Sequence, residues 1–134
     1  MISKHTETKV ATGTVVGIVE HGDQRGRTIG FATANLRIGI GHADIGDGVY
    51  AATAQLDDGR VFSAAVSIGR RPTFYAEGER LCEVHLLDFD EDIYDRALAV
   101  ELRWFVRSQQ RFGSPDELVA QLRRDVETTR SVLS

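Results

Sequence analysis

The sequence predicts a small, mainly β domain that ends in a single α-helix. Apolar and β-branched residues come in short runs separated by glycine-rich or acidic turns, which is typical of antiparallel strands. A helical spacing of apolar residues begins only after Ser114. The length of 134 residues, 42% of them hydrophobic, suits one core. We expect a flexible N-terminal tail over residues 1–10 and one domain over residues 11–134.

The predicted strands follow one another at short intervals. Segment 11–20 is rich in β-branched residues, and alternation in segment 97–105 places Leu98, Val100, Leu102 and Trp104 on one face. Asp57-Asp58-Gly59 has the turn chemistry of a β-hairpin, so the segments on either side of it should pair. The expected strands are 11–20, 35–40, 49–56, 60–68, 79–88 and 97–105.

A helix is predicted from the start signals around Ser114. Ser114 suits the N-cap, Pro115 suits the first helical position, and Glu117 would complete a capping box. Leu118, Leu122 and Val126 then recur at helical spacing. Five or six strands followed by one helix favour a closed or nearly closed antiparallel barrel that the helix partly covers.

Composition and charge exclude several classes of function. A net charge of -4 argues against nucleic acid as a partner, because binding to a phosphate backbone needs a concentrated basic face. The single cysteine, Cys82, cannot form a disulfide within the chain or build a thiolate metal site. The sequence has no signal-peptide core and no apolar stretch near the roughly 20 residues that span a bilayer. We expect a cytoplasmic monomer that does not bind membranes.

A glycine-rich loop is the first candidate binding element. Gly22, Gly26 and Gly30 give the backbone freedom, and Arg25 and Arg27 add guanidinium donors. Exposed N–H groups and guanidinium groups together can cradle a polyphosphate. The pattern is not a P-loop, and a solvated surface loop explains the same residues.

Thr33 and Asn35 directly follow that loop. A hydroxyl and an amide carbonyl are hard oxygen ligands that suit Mg²⁺ bridging nucleotide phosphates. Two neutral ligands bind Mg²⁺ weakly, so the metal would arrive with the nucleotide. The alternative is that both residues simply begin a strand and stabilise a turn.

Glu83 is the candidate catalytic residue. In the predicted strand, Glu83 lies on the same face as Leu81 and His85. Burial of a carboxylate on an apolar face costs free energy. Its expected role is general base for a substrate hydroxyl. An exposed glutamate at the rim of a barrel is an equally good explanation from the pattern alone.

Charged residues and an aromatic residue surround the start of the helix. An apolar slot with a few polar groups at its edge could hold the ring of a flavin. Helix capping explains the two acidic residues equally well. The candidates in this region are Arg107, Phe112, Asp116, Glu117 and Arg124.

Taken in order, these segments resemble the riboflavin kinase family, including the kinase half of bacterial bifunctional FAD synthetases. Each motif is weak by itself, but the ordered set is specific and covers nearly the whole chain. The matching stretches are Arg25-Gly26-Arg27-Thr28-Ile29-Gly30-Phe31, Thr33-Ala34-Asn35, Gly48-Val49-Tyr50, Val66-Ser67-Ile68-Gly69, Arg71-Pro72-Thr73-Phe74 and Glu83-Val84-His85-Leu86-Leu87-Asp88-Phe89, followed by Tyr94, Arg107, Phe112, Ser114, Leu118 and Asp125.

The resemblance implies a six-stranded Greek-key barrel with a C-terminal helix. It also implies transfer of the γ-phosphate of ATP to the 5′-hydroxyl of riboflavin, giving FMN and ADP. Thr33 and Asn35 take the place of the family's Mg²⁺-nucleotide ligands, and Glu83 that of its base. The loop with Gly22, Arg25, Gly26, Arg27, Thr28 and Gly30 would cover the nucleotide.

Three departures from the family pattern qualify this expectation. Ala32 stands where proline is usual, which removes a residue that stiffens the ligand-bearing turn. Asp23-Gln24 brings a negative charge close to the expected phosphates. Tyr94-Asp95 replaces Tyr-Gly, a mild change because aspartate tolerates left-handed backbone. The first two motivate an alternative, a flavin- or nucleotide-binding module without turnover, against which stands the presence of Thr33, Asn35 and Glu83 together.

The segment before the barrel indicates which of the two family reactions to expect. A tail of ten residues is too short to fold as an adenylyltransferase domain. We therefore expect this chain to make FMN and to leave FAD synthesis to another enzyme.

Overall fold

The described part of the chain consists of seven strands and one helix. The computed structural model describes residues 9–10, 13–20, 33–37, 45–70 and 80–133. The elements are β1 (Lys9–Val10), β2 (Thr14–Ile18), β3 (Ala34–Arg37), β4 (Gly48–Leu56), β5 (Val61–Arg70), β6 (Arg80–Leu86), β7 (Ala97–Arg107) and α1 (Pro115–Leu133). Lys9 and Val10, which lie within the predicted tail, pair with β7. Residues 1–8 lie outside the described residues.

The strands form a nearly closed antiparallel barrel. They are ordered β1-β7-β4-β5-β6-β3, and β2 also pairs with β7. Since β1 and β2 follow each other along β7, they act as one interrupted strand of a six-stranded barrel. The amide of Glu20 donates to the carbonyl of Asn35 at 2.8 Å, which joins the end of β2 to β3. The order β7-β4-β5-β6 is that of a Greek key, so the predicted fold is confirmed.

The predicted hairpin joins β4 to β5. Gly59 has a φ of 95°, a left-handed conformation that glycine adopts without steric cost. The Asp58 carboxylate accepts a hydrogen bond from the Arg60 amide at 3.0 Å. The two strands pair antiparallel as predicted, with Gln55 opposite Val61.

The core fills the barrel and follows the alternation of the strands, with one exception in β7. Leu98, Val100 and Leu102 face the core as predicted, but Trp104 packs on the outer face and Phe105 packs against the core. A register shift between Ala51 and Ala52 of β4 leaves an extra residue in β7, and this bulge reverses the alternation. The prediction for Trp104 was therefore wrong. Other large, fully buried side chains of the interior are Val15, Val19, Leu36, Leu56, Val66, Ile68 and Val84.

Helix α1 covers part of the outer face of the sheet. The Glu117 amide donates to the Ser114 hydroxyl at 3.2 Å, which confirms the N-cap, while the Glu117 carboxylate accepts from the Gly113 amide at 2.9 Å. The predicted apolar stripe of Leu118, Leu122 and Val126 is only half-buried. The two most buried positions of the helix carry Asp125 and Thr129 instead. No helix in the described part of the chain is long and apolar enough to cross a membrane.

Candidate active site

The pairing of β3, β6 and β5 places three polar residues side by side. Asn35 of β3 is the Cα partner of Glu83 of β6, and Glu83 is the partner of Ser67 of β5. Directly opposite residues of neighbouring strands share one face of a sheet. We call Asn35, Glu83 and Ser67 the polar row; it lies on the outer face, because the alternate positions of these strands face the core.

Asn35 brings an unusual amide oxygen to this row. Its side chain is only 8% exposed, and its Oδ1 atom has no hydrogen-bond partner among the described residues. A buried carbonyl oxygen without a partner is costly, and binding of a cation or a donor removes that cost. Thr33, the other predicted ligand, lies just before β3 and is exposed.

Glu83 is partly exposed on the outer face of β6. The core face of this strand carries Cys82, Val84 and Leu86. Leu81 and His85 therefore lie with Glu83 on the opposite face, outside the interior. Glu83 shares a face with Leu81 and His85 as predicted, but that face is the outer one and not the apolar interior. Its accessibility suits a group that must meet a substrate, and its place in the ladder next to Asn35 brings the two predicted roles together.

Cys82 lies behind Glu83 in the core. Burial raises the pKa of its thiol to about 12, and the charge of Glu83 acts in the same direction. The thiol therefore stays protonated at neutral pH and does not act as a nucleophile or metal ligand.

The predicted nucleotide loop cannot be compared with this geometry. Gly22, Arg25, Gly26, Arg27, Thr28 and Gly30 lie outside the described residues, as do Asp23, Gln24 and Ala32. Their assignment remains a prediction. Within the described ranges, no group of three or more His, Cys, Asp or Glu side chains could hold a metal ion.

Two of the predicted flavin residues lie together at the end of β7. The Arg107 guanidinium lies 5.8 Å from the centre of the Phe112 ring. It also makes two hydrogen bonds to the Asp125 carboxylate, at 2.9 Å from Nε and 2.8 Å from Nη2. Arg107 thus joins β7, the connection that carries Phe112, and α1 into one unit.

The other three predicted flavin residues lie on α1. Asp116 is exposed in the first turn of α1, and Glu117 serves the cap described above. Arg124 is exposed and donates to the Gln121 side chain at 2.7 Å. Through its cap contact, Glu117 is bonded to the residue after Phe112, and Gln121 also donates to Asp125, the partner of Arg107.

Residue-level reasoning assigned no role to Ser67, Gln109 or Asp125. Gln109 Nε2 donates to Ser67 Oγ at 2.8 Å and to the Ile68 carbonyl at 3.0 Å. These contacts join residues 42 and 41 positions apart, so no local sequence pattern predicts them. The matching stretches that include Ser67 and Asp125 were the available signal.

Asp95 follows Tyr94 where glycine is usual, and it has a φ of 68°. This left-handed backbone is the conformation that aspartate at this position was expected to tolerate. The departure from Tyr-Gly is therefore accommodated without a glycine.

Comparison with known proteins identifies the family of this chain. The family model named Flavokinase, described as riboflavin kinase, matches residues 11–133. The chain is 40% identical over 119 residues to a bifunctional riboflavin kinase/FMN adenylyltransferase from Haemophilus influenzae, covering 87% of this chain and 37% of that protein. The Bacillus subtilis protein of the same description is 39% identical over 113 residues, covering 83% of this chain and 35% of the relative.

A solved structure has the same fold. A crystal structure from Streptococcus pneumoniae, described as a macrolide-efflux protein, superposes with a TM-score of 0.74 at 36% identity, covering 90% of this chain and 39% of that one. The chain spans little more than a third of the length of the two bifunctional relatives. The match of the family model over residues 11–133 places this chain in the riboflavin kinase family.

Proposed function

We propose that this chain is a riboflavin kinase that transfers the γ-phosphate of ATP to the 5′-hydroxyl of riboflavin, giving FMN and ADP. The observation that carries the proposal is the pairing of Asn35 with Glu83 across β3 and β6. It puts a candidate ligand of the nucleotide's metal next to a candidate base, which is the arrangement that transfer to a hydroxyl needs.

Asn35 and Thr33 would hold Mg²⁺ that arrives with the nucleotide. The Asn35 Oδ1 atom fits this group, because it is a buried hard oxygen without a partner among the described residues. Bound Mg²⁺ supplies charge neutralisation at the phosphate oxygens. Arg25, Arg27 and the backbone of their loop are proposed to add donors to the same phosphates.

Glu83 is the proposed general base. It accepts the proton of the 5′-hydroxyl as the hydroxyl oxygen bonds to the γ-phosphorus and the bond from that phosphorus to the bridging oxygen of ADP breaks. Its partly exposed position on the outer face supports access for a substrate hydroxyl. Holding both reactants in one geometry provides much of the rate enhancement.

The flavin is proposed to bind near the connection between β7 and α1. Phe112 offers a ring face, and Arg107 is bound to Asp125 and holds the segment that carries Phe112. Asp116, Glu117 and Arg124 remain candidates for the polar edge of this site. Their exposure on α1 leaves their side chains accessible to a ligand.

The test is turnover by the purified chain with riboflavin, ATP and Mg²⁺, followed by chromatographic separation of the flavins. We expect FMN from the wild type and a fall of at least about 100-fold in kcat for Glu83→Gln, because general-base catalysis contributes about 10²- to 10⁴-fold. Glu101→Gln is the matched control, since Glu101 is an exposed glutamate of β7.

Each outcome has a distinct meaning. Full activity of Glu83→Gln would remove Glu83 as the base. Bound but unchanged riboflavin with the wild type would contradict the kinase and favour a binding module. An equal loss in Glu101→Gln would mean that any lost carboxylate on the barrel has this effect, which also contradicts the assigned role.

A further inference from the structure

The contact between Gln109 and β5 lies beside the proposed base. Ser67, which receives a hydrogen bond from Gln109, is the direct ladder partner of Glu83. Gln109 belongs to the connection between β7 and α1, the segment that also carries Phe112. One side chain therefore joins the proposed flavin segment to the polar row.

The two hydrogen bonds of Gln109 determine the orientation of its amide. The Ile68 carbonyl can only accept, so the group 3.0 Å away must be the amide nitrogen. The same nitrogen lies 2.8 Å from Ser67 Oγ, and its two hydrogens account for both contacts. Ser67 Oγ is therefore the acceptor in this pair, and its own hydrogen is not used in this contact.

Gly69 provides the space for this arrangement. A Cβ atom at Gly69 would lie 3.2 Å from Gln109 Nε2 and 3.5 Å from its Cδ and Cγ atoms. The contact with Nε2 is tighter than ordinary van der Waals packing, so the Gln109 side chain would have to shift slightly. The backbone next to Ser67 is thus shaped to let Gln109 approach closely.

The distance across the ladder suits one bound hydroxyl group. Side chains directly opposite on antiparallel strands have Cβ atoms about 5 Å apart. A hydroxyl oxygen between Ser67 and Glu83 can accept a hydrogen bond from the serine and donate its own hydrogen to the carboxylate. This geometry orients the hydroxyl for attack with its proton directed at the base.

We propose that Ser67 contacts the attacking hydroxyl of the flavin substrate and that Gln109 is a positioning residue that orients Ser67. The inference rests on the proposed kinase function and adds two residues to it. Gln109 acts on the attacking hydroxyl through Ser67, so removing either side chain should lower kcat by a similar factor. The arrangement also makes the position of the connection that carries Phe112 depend on the polar row.

The experiment measures kcat and KM with riboflavin, ATP and Mg²⁺ for Ser67→Ala, Gln109→Ala and the double variant. We expect kcat to fall roughly tenfold in each single variant, as for one hydrogen bond made in the transition state, with the KM for ATP unchanged. The double variant should be no slower than the slower single variant, because coupled residues are not additive. Ser67→Thr keeps the hydroxyl and should keep most of the activity.

Two matched controls isolate the effect. Ser63→Ala removes a hydroxyl from the same strand and face, four residues from Ser67, and Gln55→Ala removes an exposed amide from β4. Both should keep wild-type kcat. If Gln109→Ala does not fold, Ser67→Ala and Ser67→Thr still decide the role of Ser67.

Several results would overturn the inference. Wild-type kcat in Ser67→Ala, additive losses in the double variant, or equal losses in Ser63→Ala would each contradict it. A wild-type chain that makes no FMN would contradict the proposed function itself. A wild type that makes FMN, together with an unaffected Ser67→Ala variant, would contradict this inference alone.

Discussion

Two buried polar atoms have no hydrogen-bond partner among the described residues, and they differ in meaning. Asn35 Oδ1 lies in the polar row, where a bound cation would satisfy it. Thr129 Oγ1 lies on α1 in a fully buried side chain that has no part in the proposed reaction. A buried hydroxyl without a partner costs about 1–3 kcal/mol. We propose that the first atom serves metal binding, whereas a substitution can remove the second without affecting the reaction.

Thr129→Val should stabilise the protein. Valine keeps the shape of threonine, removes the unpaired hydroxyl and has a similar helix propensity. We expect the free energy of unfolding to rise by about 1 kcal/mol, measured by urea denaturation. Thr128→Val is the control, because Thr128 is more exposed and its change should matter less. A loss of stability in Thr129→Val would mean that its hydroxyl is hydrogen-bonded in solution.

At the scale of elements, a buried ion pair joins the helix to the barrel. Asp125 of α1 is 3% exposed, and its carboxylate accepts two hydrogen bonds from Arg107 and one from Gln121 at 3.0 Å. The Arg107 side chain is itself 16% exposed. Removing the Asp125 carboxylate would leave the largely buried charge of Arg107 without a partner.

Asp125→Ala should therefore loosen α1 from the sheet. We expect a loss of about 3 kcal/mol in the free energy of unfolding, again measured by urea denaturation. Glu127→Ala, an exposed acid-to-alanine change on the same helix, should stay within about 0.5 kcal/mol of the wild type. Similar small effects in both variants would show that the ion pair does not hold the helix in place.

At the scale of the whole molecule, a charge network joins the β4–β5 hairpin to the connection between β6 and β7. Arg96 binds Asp57 and Asp58, while Arg60 binds Asp58 and Glu91. Hydrogen bonding from Arg96 lowers the pKa of Asp57, and the amide and side chain of Arg60 lower that of Asp58. Hydrogen bonding from Arg60 likewise lowers the pKa of Glu91.

These shifts predict a loss of stability in acid. A carboxylate with a lowered pKa in the folded state stabilises it above the unfolded pKa, about 4, and the contribution disappears as the pH falls through the lowered value. We expect the Tm to fall on acidification below about pH 4. The fall should be smaller in Arg96→Gln than in the wild type. Arg103→Gln, an exposed change on β7, should follow the wild-type curve; identical curves for all three proteins would refute the role of the network.

Local chemistry made much of the fold predictable from the sequence. The turn at Asp58 and Gly59 and the cap at Ser114 depend on atoms within a few residues of each other, so their residue types suffice to predict them. The bulge that exchanges Trp104 and Phe105 was not predictable, because it arises from pairing with β4, about 50 residues away in the chain.

The same division applies to the candidate site. The sequence by itself identified Asn35 and Glu83 as residues whose chemistry suits phosphoryl transfer, because that chemistry belongs to the side chains. Only the tertiary structure decided that the two are ladder partners and that Gln109 reaches Ser67 beside them. The physical reason is that strand register, set by packing of the whole barrel, determines which distant side chains meet.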